Sequence, residues 1–176
     1  MHTQKPRGRW LAAVNFLIVL ICVAVGLCVL FIGPSAGRCF SDWEPFGGKC
    51  YYFSHDAFNW TASRDKCVSM GGHLVIIDSR EEQMYIVQKL NAAEDDFWIG
   101  LTDSEREGQW KWVDNTDLKN ITFWHHSQPN NSSGINNTYS GEDCAIMRDV
   151  QQTEHNWFDQ YCAQSNKIMC EAKSRL

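Results

Sequence analysis

Two kinds of side chain in this sequence could do chemistry: thiols that oxidise in pairs, and a dense run of oxygen donors. Cys39, Cys50, Cys67, Cys144, Cys162 and Cys170 all follow residue 38. None stands in a CxxC spacing, so a zinc site is not indicated, and an even number outside the cell points to three disulfides. Count alone leaves about 15 connectivities open. The oxygen donors lie in residues 114–143, which are rich in Asn, Ser, Thr and Gly and end in Glu142-Asp143. Calcium takes about six to eight oxygen ligands from carboxylates, amides and carbonyls, and this stretch offers them. A loop of that length inside a compact domain is usually functional or tied down by a ligand. Sequons at Asn59, Asn120, Asn130, Asn131 and Asn136 add candidate N-glycosylation sites and fit an extracellular surface.

Other candidates read more simply. Asp103 and Glu107, in Asp-Ser-Glu-Arg-Glu-Gly, can be ordinary solvated acids, and so can Glu94-Asp95-Asp96. Trp110, Trp112 and Trp124 could form a sugar-stacking platform, but large aromatics dominate small cores, and core packing is the expectation. His125 and His126 are adjacent, so on a strand they face opposite ways and cannot readily share a metal. His73, after Gly72 at a strand start, reads as structural. No GxSxG, HExxH, P-loop or GxGxxG arrangement is present, which argues against an enzyme.

These groups need a scaffold, and the chain provides one. Of its 176 residues, 11–32 carry no charge and would rise about 33 Å as a helix, enough to cross a bilayer. Lys5, Arg7 and Arg9 precede this span, so the positive-inside rule puts residues 1–10 in the cytoplasm and everything after the span outside. The span exceeds a usual signal-peptide core, so a retained signal anchor is expected over a cleaved leader. Asn15 is its one strongly polar residue, and Cys22 and Cys28 lie within it. The tail contains no Tyr, so signalling would need an associated adaptor. Residues 33–38 form a short linker and 39–172 one domain. The three tail cations leave −8 on the remainder of a chain whose net charge is −5, which excludes a nucleic-acid partner.

Within the domain, residues 43–53 read as a hairpin around Gly47-Gly48. Residues 61–70 read as a helix ended by Gly71-Gly72, and 73–77 as a β-branched strand. Ser79 with Glu82 is a capping-box pattern opening a helix to about Leu90. Residues 97–101, 110–113, 144–147, 157–158 and 167–171 read as strands. Two early helices, a β-rich second half and a long polar loop make an α+β domain.

Those residues resemble the C-type lectin-like domain. Trp98-Ile99-Gly100-Leu101 matches its WIGL core strand, Gln128-Pro129-Asn130 stands where it carries EPN or QPD, and Trp157-Phe158-Asp159 where it carries WND. The resemblance covers Cys39 to Cys170 and implies the pairs Cys39–Cys50, Cys67–Cys170 and Cys144–Cys162. The type II topology is similar to that of the asialoglycoprotein-receptor and myeloid receptor group. The implied cofactor is calcium. The implied auxiliary site uses Asp103, Glu107, Asn131 and Asp143. The implied primary site, where the family binds sugar, uses Gln128, Asn130, Glu142 and Asp159, with Phe158 replacing an amide ligand.

That replacement has a chemical consequence. In the family, each of two sugar hydroxyls donates to a carboxylate and accepts from an amide. Here Gln128 and Asn130 offer only donors once their oxygens face the metal, while Glu142 and Phe158 offer one acceptor and no donor. The hydrogen-bond count closes for neither hydroxyl, and each unmatched buried group costs about 1–3 kcal/mol. A glycan on Asn130 or Asn131 would also remove that amide from the site. The function expected is a plasma-membrane receptor of an immune or endocytic cell that takes a glycan or glycoprotein ligand. The alternative is a calcium-independent receptor or surface ligand for a protein partner, with Phe158 as an exposed aromatic anchor.

Overall fold

The computed structural model describes residues 38–90, 95–133, 141–151 and 153–175. The expected tail, membrane span and most of the linker lie outside these residues, as do Glu94 and Asn136. Among the described residues no helix is long and apolar enough to cross a membrane.

The chain forms β1 (Glu44–Phe46), β2 (Lys49–Phe58), α1 (Trp60–Ser69), β3 (His73–Leu74) and α2 (Arg80–Leu90). It continues through β4 (Asp96–Thr102), β5 (Lys111–Trp112), β6 (Cys144–Arg148), β7 (Trp157–Gln160) and β8 (Asn166–Lys173). The sheet order is β1-β2-β8-β4-β6-β7, with β3 on β8 and β5 on β4. Every ladder is antiparallel except β4 with β8. This is the α+β arrangement expected, with β8 inside the sheet and the first described residue, Arg38, bridging to Arg175.

Local chemistry explains the elements. Asn59 caps α1 by accepting from the Ala62 N–H at 2.9 Å, so the helix starts at Trp60, one residue before the expected Thr61. Gly71, at φ +85°, ends it. Ser79 Oγ accepts from the Glu82 N–H at 3.2 Å, half of the expected capping box. The return bond goes from the Asp78 N–H to Glu82 Oε2 at 3.1 Å rather than from Ser79.

The expected strand over residues 73–77 is shorter. Only His73–Leu74 runs beside β8. Val75 donates to Met169 on β8 but accepts from Gly100 on β4, so the chain transfers between two strands and no continuous ladder forms. Val75 and Ile77 are nevertheless buried, which is why the apolar run reads as strand. Gly100 is required at this crossing: a Cβ there would stand 2.8 Å from Leu74 O and 2.9 Å from Val113 Cγ2.

Two apolar clusters flank the sheet. One gathers Ile86, Leu90 and Ile99 with Trp112, Phe123 and Trp157; the other gathers Trp60, Trp98, Ile146 and Ile168 with the disulfides. The indole N–H groups of Trp60 and Trp98 donate to Ile99 O and Phe58 O at 3.0 and 2.8 Å. All three disulfides implied by the resemblance are present: Cys39–Cys50, Cys67–Cys170 and Cys144–Cys162.

One buried polar cluster was not legible in the sequence. Lys49 Nζ donates to Glu82 at 2.9 Å and Glu171 at 3.1 Å, and the Tyr51 hydroxyl donates to Glu82 at 2.5 Å. Burial holds the Glu171 carboxyl up, to about 8, with the Lys49 cation opposing the rise and the Glu82 carboxylate adding to it. An acid that keeps its proton to higher pH when folded contributes stability that is lost as pH rises through that folded value. The melting temperature is therefore expected to rise by a few degrees as pH falls from about 8 to about 6. Glu171→Gln should flatten that slope, as scanning calorimetry at each pH would show; an unchanged slope would assign it to other groups.

Candidate functional site

The sheet delivers its acids to one end of the domain. β4 ends at Thr102 and hands the chain to Asp103; β6 begins immediately after Glu142-Asp143; β7 carries Asp159. The Asp143 carbonyl accepts from Thr102 Oγ1 at 2.6 Å and from the Asp103 N–H at 3.1 Å, which locks the two connections together. The Cys144–Cys162 disulfide ties the start of β6 to the turn after β7.

Four of the sequence-derived positions meet here. Asp103 is 3% exposed. Its Oδ2 accepts from the Gly108 N–H at 2.8 Å, while Oδ1 is buried with no partner among the described residues. Burial pushes its pKa up to about 6, against the Gly108 N–H, and the Glu107 and Asp143 carboxylates add to the rise. Asn131 Nδ2 donates to Glu107 Oε2 at 2.5 Å, and its Oδ1 accepts from the Glu142 N–H at 2.9 Å. A Cβ on Gly141 would come within 2.5 Å of Asn131 Oδ1 and 3.1 Å of Asp143 Oδ1. At φ +129° with those two oxygens overhead, position 141 takes only glycine. Sequence reasoning missed this residue, although its place just before Glu142-Asp143 was a signal.

The second set is less complete. Asp159 Oδ2 accepts from the backbone N–H groups of Asn130 and Asn131 at 2.8 and 2.6 Å. Its Oδ1 is buried with no partner among the described residues, as is Gln128 Oε1, whose peptide to Pro129 is cis. Glu142 Oε2 accepts from the Ser132 N–H at 3.1 Å. Burial raises the pKa of Glu142, with the Asp159 charge adding; burial likewise raises Asp159, against its two N–H donors. Asn130 is tied in through its backbone alone, and its exposed side chain makes no hydrogen bond among the described residues.

Among the described residues no three His, Cys, Asp or Glu side chains are grouped closely enough to hold a metal by themselves. The three acids of the auxiliary set, Asp103, Glu107 and Asp143, therefore do not form such a group on their own, and the primary set has only two acids, Glu142 and Asp159, beside its amides. Four buried side-chain atoms lack a partner among the described residues, and three are acceptors of these sets: Asp103 Oδ1, Gln128 Oε1 and Asp159 Oδ1. The fourth, Asn156 Nδ2, is a donor on the side chain that accepts from Gln83. Buried acceptors are nearly always satisfied. Acidic oxygens left unsatisfied, with pKa values raised by burial, fit a hard divalent cation of the calcium type.

Phe158 differs from the expected exposed anchor. It is half-buried, stacked on His125 with ring centroids 4.7 Å apart, and the Arg148 guanidinium lies 4.9 Å from its centroid. Asp96 holds that guanidinium through two bonds of 2.7 and 2.6 Å. Trp110 and Trp112 are buried and Trp124 half-buried, edge-on to one another or to Trp157, so they form core rather than a platform. His73 bonds the Leu74 carbonyl at 2.9 Å. The sequon residues Asn59 and Asn120 are exposed, as are Asn130 and Asn131.

Residues 56–172 match the family described as Lectin C-type domain. Human C-type lectin domain family 4 member E is 42% identical over 140 residues, 79% of this chain and 61% of that protein. Mouse asialoglycoprotein receptor 2 is 39% identical over 139 residues, 78% of this chain and 43% of that protein. The chain thus spans less than two thirds of the length of either relative. The mouse scavenger receptor C-type lectin carbohydrate-recognition domain superposes with a TM-score of 0.70 at 36% identity, covering 78% of this chain and 100% of that one. The C-type lectin domain of murine dendritic cell inhibitory receptor 2, solved in complex with N-glycan, gives 0.68 at 33% identity, with coverage of 78% and 100%.

Proposed function

This chain belongs to the C-type lectin domain family, and on that premise we propose that it is a single-pass type II receptor of the plasma membrane that binds calcium and recognises glycan through the long-loop face. Residues 1–10 are its cytoplasmic tail, 11–32 its signal anchor, 33–38 its linker and 39–172 its lectin domain. A membrane-associated adaptor supplies signalling. Its relatives are lectins and lectin receptors rather than enzymes.

The observation that carries the reading is the trio of buried acceptors on Asp103, Gln128 and Asp159 that have no partner among the described residues. Asp103, Glu107, Asn131 and Asp143 would hold the auxiliary ion, and Gln128, Asn130, Glu142 and Asp159 the primary one. Calcium there would supply positive charge to the acids and bind ligand oxygens. Glu142 would accept a hydrogen bond from one bound hydroxyl, and the Gln128 and Asn130 amides would face the other with donors alone. Asp159 shapes the face by holding the backbone of Asn130 and Asn131. Phe158 provides no amide, so the expected glycan makes fewer polar contacts than a fully furnished site would allow and binds weakly.

A second reading is a calcium-independent receptor or surface ligand for a protein partner. The hydrocarbon ring of Phe158 at a ligand position favours it. An array of glycans probed with the soluble domain, with and without chelator, separates the two. The proposed function predicts glycan signals that chelator removes and added calcium restores. Absence of every glycan signal, together with chelator-resistant staining of cells, contradicts it and favours the second reading.

A further inference from the structure

Asn130-Asn131-Ser132-Ser133 contains two overlapping sequons, and the fold treats their acceptors differently. Asn131 is committed to the domain. Its Nδ2, the atom that would carry a sugar, donates to Glu107, its Oδ1 accepts from the Glu142 N–H, and that oxygen fills the space above Gly141. A chain modified at Asn131 Nδ2 before folding loses the Glu107 bond and must place a saccharide where the loop base closes. Asn130 is the opposite case. Its backbone N–H is bound to Asp159, while its side chain is exposed and makes no hydrogen bond among the described residues. A saccharide on its Nδ2 has open solvent to enter.

We propose that Asn130, and not Asn131, carries the N-glycan, and that this glycan masks the primary ligand site of the same chain. The inference rests on the glycan-binding reading above and deepens it by naming what regulates the site. In the transfer, the C1–oxygen bond of a lipid-diphosphate-linked oligosaccharide breaks and a C1–Nδ2 bond forms on Asn130. The amide loses one proton and the lipid diphosphate departs. The amide keeps its oxygen but has one N–H donor instead of two, and the attached saccharide springs from a residue whose backbone is bound to Asp159 and which lies two positions after Gln128. The receptor then exists in two forms. One is masked, with Asp103, Glu107, Asn131 and Asp143 undisturbed; the other is open.

The two sequons can be removed separately. Ser132→Ala destroys the Asn130 sequon and leaves that of Asn131, whereas Ser133→Ala does the reverse. The full chain would be expressed in mammalian cells, acceptor occupancy read by glycopeptide mass spectrometry, and binding of immobilised mannose and galactose measured. Asn130 is expected to be modified and Asn131 not. Ser133→Ala should behave as wild type. Ser132→Ala should gain binding capacity in inverse proportion to the unmasked fraction, roughly fivefold if four fifths of chains are modified. Trimming wild-type glycans to a single residue with an endoglycosidase should raise capacity in the same direction and requires no substitution. Modification at Asn131, or an unmodified Asn130, overturns the assignment. A modified Asn130 with equal sugar binding before and after trimming overturns the masking. A modified Asn130 with no sugar binding in any form contradicts the glycan-binding reading itself and leaves the assigned acceptor standing.

Discussion

Asp159→Asn is expected to weaken calcium binding at the ligand face by roughly 100-fold, about 2.7 kcal/mol, and to abolish glycan retention. One carboxylate oxygen fixes the backbone of two neighbouring loop residues, Asn130 and Asn131, and the other is buried without a partner among the described residues. Neutralising it removes one of the two formal charges of the primary set and weakens two charge-assisted bonds together. Hydrogen bonds to ionised groups contribute about 1.5–3 kcal/mol each, so the loop conformation and the metal site weaken in concert. An exposed acid serves as the control. Among the described residues Glu105 pairs with Lys111, 3.0 Å away at the surface, and Glu105→Gln should leave binding unchanged. Calorimetric titration of both variants checks this. Wild-type calcium affinity in Asp159→Asn would place the ligand face elsewhere.

The second large effect concerns the scaffold. Removing the Cys67–Cys170 pair as a double alanine variant is expected to cost about 4–5 kcal/mol in the chain-entropy description, because the bond spans 103 residues. It fastens α1 to the middle of β8, the strand that pairs with β2, β3 and β4, so the denatured chain regains most of its freedom when it goes. Removing Cys39–Cys50, which spans 11 residues, should cost about 3 kcal/mol. Against a typical domain stability of about 5–15 kcal/mol, the first loss leaves little margin. Urea unfolding of the two double variants measures the difference. Equal losses would mean that loop length does not govern the stabilisation here.

Most of the fold was legible from residues that act locally. Asn59 sits at an N-cap, Ser79 and Glu82 mark a helix start, and Gly71 marks a helix end. Trp98-Ile99-Gly100-Leu101 reads as buried strand because nothing in it is polar, and all four residues are buried. What failed depends on distant partners. Residues 75–77 look like strand, yet Val75 divides its bonds between β8 and β4. Phe158 looks like a surface anchor until His125 and Arg148, 33 and 10 positions away, close on its ring. The Lys49–Glu171 contact joins residues 122 apart, and no local pattern announces it.

The site divides in the same way. The resemblance named Asp103, Glu107, Asn131 and Asp143; the Asp103 N–H donates to the Asp143 carbonyl, Asn131 donates to Glu107, and Asn131 and Asp143 flank Gly141. It also named Asn130, whose side chain makes no hydrogen bond among the described residues; its backbone N–H donates to Asp159. Residue type alone could not distinguish an asparagine amide engaged by the domain, as at Asn131, from one left exposed, as at Asn130. That distinction is the basis for assigning Asn130 as the glycan acceptor.

The most direct test of the account is calorimetric titration of calcium into the refolded, unglycosylated domain, residues 38–176, repeated with mannose and with galactose present. Refolded protein carries no glycan on Asn130, so the ligand face is open. The account predicts heat from calcium binding and, on the calcium-loaded domain, a further small sugar heat that chelator removes. No calcium heat at any concentration up to the millimolar range would contradict it, because the buried oxygens of Asp103, Gln128 and Asp159 would then lack the cation they are inferred to serve.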